Sequence, residues 1–165
     1  MSGGTGDAVD LILEQWARER PDLDCSPMGV IGRITQLQRE VFLAQRTTFA
    51  RHGLDAPSFD VLAALRRAGE PYQLTPGALL RQTLVTSGTM TNRVDRLVAR
   101  DLVDRLPDPR DRRGVLVRLT AAGRRNVDDA FESLLDRERS LLAALPPEDR
   151  DSLARLLKLL MAPLA

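Results

Sequence analysis

Apolar residues recur with a helical period over most of this chain. Val9, Ile12, Leu13 and Trp16 follow the i, i+3, i+4, i+7 spacing, with Asp7 placed to cap the helix and Pro21 to end it. Ser26-Pro27 is a second start, a hydroxyl followed by a proline fit for the first turn. From there Ile31, Ile34, Leu37, Val41 and Phe49 predict a long helix stopped at Gly53. Pro57 opens a third helix with Phe59, Leu62 and Leu65 as its stripe, closed by Gly69. Thr75-Pro76 starts a short helix reaching about Gln82. Thr86-Ser87 caps the next, which runs to about Arg100 with Met90, Val94, Leu97 and Val98 inward. Thr83-Leu84-Val85 joins these two into the outline of a helix-turn-helix.

The period then changes. Leu102–Leu106 and Val115–Leu119 are short β-prone runs separated by turn formers, Pro107, Asp108, Pro109 and Gly114, which predicts a hairpin with a long tip. The tip, Arg110-Asp111-Arg112-Arg113, is its most charged part, and a charged ribbon directly after a helix-turn-helix reads as a wing. Thr120 caps a long helix with Val127, Phe131, Leu134, Leu141 and Leu145 on one face, and Leu153, Leu156, Leu157 and Leu160 mark a last helix after Pro146-Pro147. The fold class expected is mainly α with a small β-hairpin: a winged helix-turn-helix flanked by dimerisation helices. The segments are 1–56, holding a Trp-bearing helix and a dimerisation helix; 57–119, the winged helix-turn-helix; and 120–165, the C-terminal dimerisation helices. The flanking apolar faces are wider than one small winged unit can cover, so they are expected to bury one another in a homodimer.

Composition narrows the function. The chain has 165 residues, one cysteine and one histidine, so neither a disulfide framework nor a zinc cluster is expected. No apolar run approaches a membrane span, and the first ten residues lack the basic start and apolar core of a signal peptide, so no membrane partner and a cytoplasmic location are expected. Net charge is only +1, yet residues 81–118 carry nine Arg against five Asp. One basic segment in a near-neutral chain is an electrostatic footprint for nucleic acid. No Ser-His-Asp set, phosphate-binding glycine loop or carboxylate pair stands out, so neither an enzyme nor a cofactor is expected.

Two constellations suit DNA. Ser87, Thr89, Asn92 and Arg96 lie on the outward side of the helix from Thr86, with Gly88 letting a backbone approach closely. Short hydroxyls and an amide at a helix N-terminus reach base edges and phosphates in a major groove. Alone this would be a polar surface helix; the preceding helix and following wing favour DNA. On the wing, Arg113 is the candidate for a minor groove, with Asp111 holding its guanidinium in a bidentate pair, and Arg110 and Arg112 are backbone contacts. Trp16, Asp60 and Arg93 are individually ordinary: an apolar packing residue, a surface acid and a phosphate contact. Cys25, next to Asp24, is an alternative as a thiol-based oxidant sensor, and a winged helix can also serve as a protein-interaction module.

The stretch from Ser87 to Leu97, the wing Asp108-Pro109-Arg110-Asp111-Arg112-Arg113-Gly114 and the run Leu119-Thr120-Ala121-Ala122-Gly123 resemble the MarR family of bacterial repressors. Relatives often have Gly where this chain has Asp101. Phe59 to Arg67, Leu74-Thr75-Pro76 and the extra helix bearing Trp16 resemble its urate-responsive, PecS-like branch. The resemblance implies a homodimer reading a pseudopalindromic double-stranded operator through two recognition helices. It implies release by a small planar anion, urate or a phenolic compound, held by Trp16, Asp60 and Arg93. A further Asn of that branch is Ala68 here.

Overall fold

The computed structural model describes residues 6–83 and 87–164; the side chains of Ser87, Gly88, Arg112 and Leu164 lie outside the description. In chain order the elements are α1 (Ala8–Glu19), α2 (Ser26–Arg51), α3 (Ala56–Arg67), β1 (Gln73–Leu74), α4 (Pro76–Gln82), α5 (Ser87–Val98), β2 (Val103–Asp108), β3 (Asp111–Leu119), α6 (Ala121–Leu141) and α7 (Pro147–Met161), then a short 3-10 turn. The chain divides into two compact units, one ending at Gln45 and one beginning at Arg46.

In the first unit α1 lies on the N-terminal half of α2. Asp7 closes a capping box: its carboxylate accepts from the backbone N–H of Val9 and Asp10, and Asp10 reaches back to the Asp7 N–H. Arg33 then clamps the helices together, with Nε 2.8 Å from Asp7 and Nη2 2.6 Å from Asp10. Val9 is buried and packs on Gly32. Leu13 of the same stripe is half-buried beside Gly29, whereas Ile12 and Trp16 are exposed, Trp16 by 44%. On α2, Ile31 and Leu37 are exposed as well. The spacing found the apolar side of each helix; on α2 Ile34 and Val41 are half-buried and Phe49 is buried, while Ile31 and Leu37 stay uncovered within the chain.

In the second unit α3 is the hub. Ser58 through Leu65, apart from Asp60, are buried. Asp55 caps it, accepting from the Ser58 N–H, so Pro57 is a first-turn residue rather than the start. Leu62, Leu65, Leu79, Met90, Leu97 and Val117 centre the core, and the Phe49 and Phe59 rings stack with centroids 4.3 Å apart. The sheet has three antiparallel strands, not a bare hairpin, in the order β1-β3-β2, with Gln73 opposite Arg118 and Val103 opposite Leu119. The hairpin tip is also tighter than expected. Asp108 pairs with Asp111 across a register shift, leaving Pro109-Arg110 as the turn.

Thr120 caps α6 as expected, its hydroxyl accepting from the Gly123 N–H at 2.9 Å. Along α6, Val127 and Leu134 are buried, whereas Phe131 is half exposed. α7 buries none of its residues within the chain; Leu156, Leu157 and Leu160 are exposed.

Candidate nucleic-acid interface

The helix-turn-helix is built by local capping. Thr75 accepts from the Ala78 N–H at 3.1 Å, and Pro76 sets the first turn of α4. The buried Thr83 hydroxyl ends α4 by donating to the Leu79 carbonyl at 2.7 Å. Residues 84–86, the expected turn and the Thr86 cap, lie outside the described residues. α5 packs through Met90, Val94 and Leu97, each at most 2% exposed. Val98 was also expected inside but is 36% exposed, because it closes the helix one step off that stripe.

Thr89, Asn92 and Arg96, spaced three and four apart, are all exposed and share one face. Ser87 opens the same helix. The wing is tied to α5 by Arg105, whose Nη1 lies 2.7 Å from the Asp95 carboxylate. Arg110 and Arg113 are exposed at the tip. Here the structure corrects the expected geometry. Asp111 accepts from the backbone N–H of Arg113 at 2.9 Å, and Asp108 from that of Arg110 at 2.9 Å. The two carboxylates order the backbone of the tip, leaving the guanidinium of Arg113 outside any pairing with Asp111. Short acceptors two residues before an N–H form such turns readily.

Arg93 sits between the outward face of α5 and its packed face. It is half-buried, and its Nη1 is buried with no hydrogen-bond partner among the described residues. The carboxylates of Asp55 and Asp60 both feel its charge. Asp60 keeps an exposed edge, but partial desolvation of its carboxyl among its neighbours pushes it above its ordinary range, against the opposing charges of Arg93 and Arg67. Burial also pushes Asp55 up, but the Ser58 hydroxyl and N–H, with Arg93, hold it below the ordinary carboxylate value. The structure therefore brings Asp60 and Arg93 into one electrostatic cluster without a direct hydrogen bond. Trp16 belongs to the other unit and is exposed there. The sequence pattern did not reveal Asp55 as a third member; its position just before a helix start was the available signal.

The MarR family profile matches residues 52–114, from the end of α2 to the wing. The regulator PecS of Dickeya dadantii is 36% identical over 149 residues, 90% of each chain. This chain belongs to the MarR family. A cysteine-to-serine mutant of Escherichia coli MarR, crystallised with operator DNA, superposes with a TM-score of 0.69 at 27% identity, covering 94% of this chain and 99% of that one. BpsR of Bordetella bronchiseptica, whose DNA binding is regulated by 6-hydroxynicotinic acid, gives 0.62 at 29% identity over 77% of this chain and 91% of that one. This MarR-family chain is thus a transcriptional regulator with a winged-helix DNA-binding fold. No described helix is long and apolar enough to cross a membrane.

Proposed function

We propose that this protein is a ligand-released repressor that binds a pseudopalindromic operator as a homodimer. Two copies of α5 enter successive major grooves about one helical turn apart. Ser87, Thr89 and Asn92 contact bases or neighbouring phosphates, and Arg96 contacts phosphate. Arg113 enters the minor groove, with Arg110 and Arg112 on the backbone. The exposed apolar faces of α6 and α7 support the dimer.

The observation carrying the ligand reading is the buried, unpartnered Nη1 of Arg93 on the recognition helix itself. An unpaired buried donor costs about 1–3 kcal/mol, more for a charged group, and an anionic acceptor removes that cost. A planar anion held by Arg93 beside Asp60 pulls the guanidinium toward itself, and α5 moves with it. The resemblance adds Trp16 as a stacking partner and urate or a phenolic anion as the ligand class. Its readout is separate: Trp16→Ala is expected to weaken ligand response while leaving ligand-free operator affinity unchanged.

Asp60 gives the reading a pH signature. Its carboxyl titrates above the ordinary range, so lowering the pH from neutral neutralises it earlier than a free carboxyl. An anion then meets Arg93 without a competing negative charge. Operator release by urate, tested beside related purines and phenolic acids, is expected to need less ligand as pH falls. In Asp60→Asn, which carries no charge at any pH, the dependence should flatten to that of the ligand's own titration. Identical pH profiles for wild type and Asp60→Asn would remove Asp60 from the site.

The wing has its own test. Arg113→Ala should weaken operator binding by about 1–3 kcal/mol, the scale of one lost groove contact, while Arg125→Ala on the exposed side of α6 should not. Equal affinities of the two variants in a fluorescence-anisotropy titration would contradict the wing assignment.

A further inference from the structure

The C-terminal end of α5 is fastened by a circuit of hydrogen bonds that the DNA-facing residues do not use. Arg100, just past α5, donates from Nη1 to the Gly53 carbonyl at 2.6 Å. Gly53 follows α2 with φ +66, and a Cβ placed on it would lie 2.8 Å from Arg100 Nη2. The next carbonyl after Arg100, that of Asp101, accepts from the Thr120 hydroxyl at 2.6 Å, and the Thr120 hydroxyl oxygen in turn caps α6 by accepting from the Gly123 N–H. Asn126 of α6 returns to α2 by donating to the His52 carbonyl at 3.1 Å. The ends of α2 and α5 and the start of α6 are joined in one ring, in which Arg100 supplies the link between α2 and α5.

We infer that Arg100 is a positioning residue for operator recognition: its bond to Gly53 sets the pitch of α5 without touching DNA. This rests on the reading of α5 as the recognition helix. The lever is long. A helix of twelve residues spans about 18 Å, so a tilt of about 10° about its C-terminal end moves its first turn by about 3 Å. That is the length of a hydrogen bond, enough to take Ser87, Thr89 and Asn92 out of reach of their partners. An arginine suits the post because its planar fork directs a charge-assisted bond along one line and holds the helix end in one orientation.

The test is a set of salt-dependent titrations of a pseudopalindromic duplex selected by the wild-type protein from a random-sequence pool. The proteins are wild type, Arg100→Ala, Gly53→Ala, their double variant and Asn92→Ala. Arg100→Ala should weaken binding about tenfold, the scale of one lost charge-assisted hydrogen bond, with the slope of log affinity against log salt unchanged. Gly53→Ala crowds the same guanidinium from the other side and should also weaken binding. The double variant should be no weaker than the worse single one. Affinity for the selected duplex relative to one with an extra base pair between half-sites should fall in Arg100→Ala; simple loss of folded protein leaves that ratio unchanged. A slope shallower by about 0.9 in Arg100→Ala would make Arg100 a phosphate contact and overturn the inference. Additive losses, or unchanged affinity in Arg100→Ala, would overturn it as well. If Asn92→Ala loses affinity and Arg100→Ala does not, the positioning role alone falls; if neither does, the recognition-helix reading falls with it.

Discussion

Removal of residues 147–165 is expected to abolish high-affinity operator binding and to leave a monomeric or insoluble protein. α7 buries none of its residues within its own chain, and Leu156, Leu157, Leu159, Leu160 and Met161 are exposed along it. Phe131 on α6 is exposed too. Full burial of each such side chain is worth about 1.5–3 kcal/mol, so a helix with this composition is stable only with its face covered. In the proposed dimer the cover is the partner's matching surface, and deleting α7 removes one side of it. A monomer reads one half-site where the dimer reads two, which costs about 10²–10⁴ in affinity through lost effective concentration. Light scattering after gel filtration, followed by an operator titration, checks both parts. A soluble, dimeric truncation with wild-type affinity would contradict the interface.

Gly123→Ala is expected to be the most damaging single substitution in the second unit. A Cβ at this position would run into the carbonyl oxygen of Leu102 and come within 3.2 Å of its Cα. The obstacle is backbone, so no rotamer change relieves it. The same carbonyl accepts from the Thr120 N–H at 3.2 Å, and Thr120 caps α6, so moving Leu102 aside disturbs that cap as well. Overpacking and one compromised hydrogen bond together amount to about 3 kcal/mol. For a chain of this size that lowers Tm by roughly 6–12 °C. Urea or thermal unfolding measures it, and a loss under about 1 kcal/mol would mean that α6 does not sit this close to the strand entry.

Helices were the most legible part of the sequence because their signals are local. Asp7, Thr75 and Thr120 act as the caps their positions suggested, and α4 has the expected bounds. β1 was invisible: Gln73-Leu74 is too short to show a period and becomes a strand only because β3 offers an edge. Periodicity also marked the apolar side of α1 and α6 without saying what covers it: Trp16 and Phe131 lie on those faces and stand exposed in the single chain. In the wing, the charged residues were legible but their partners were not, since Asp108 and Asp111 choose backbone N–H groups over guanidinium. Links between distant residues left no trace in local spacing. Arg33 on Asp7 and Asp10, and Arg100 on Gly53, depend on how helices pack. Nothing in local spacing links Asp60 to Arg93; the family resemblance alone pairs them, and the fold puts both, with Asp55, within reach of one another's charge.

In the proposed repressor the effector sensor sits on the recognition helix, in Arg93. The direct measurement is the dissociation constant for the selected pseudopalindromic duplex, for wild type and Arg93→Ala, with and without the compound among urate, related purines and phenolic acids that releases wild type most strongly. The ratio with and without ligand is the quantity compared, because Arg93→Ala can also change ligand-free DNA binding. A weakening of about 5–150-fold is expected in wild type, the usual range of allosteric coupling, with no ligand-induced change in Arg93→Ala. Release of both proteins with the same concentration dependence, or of neither by any of these compounds, would contradict it.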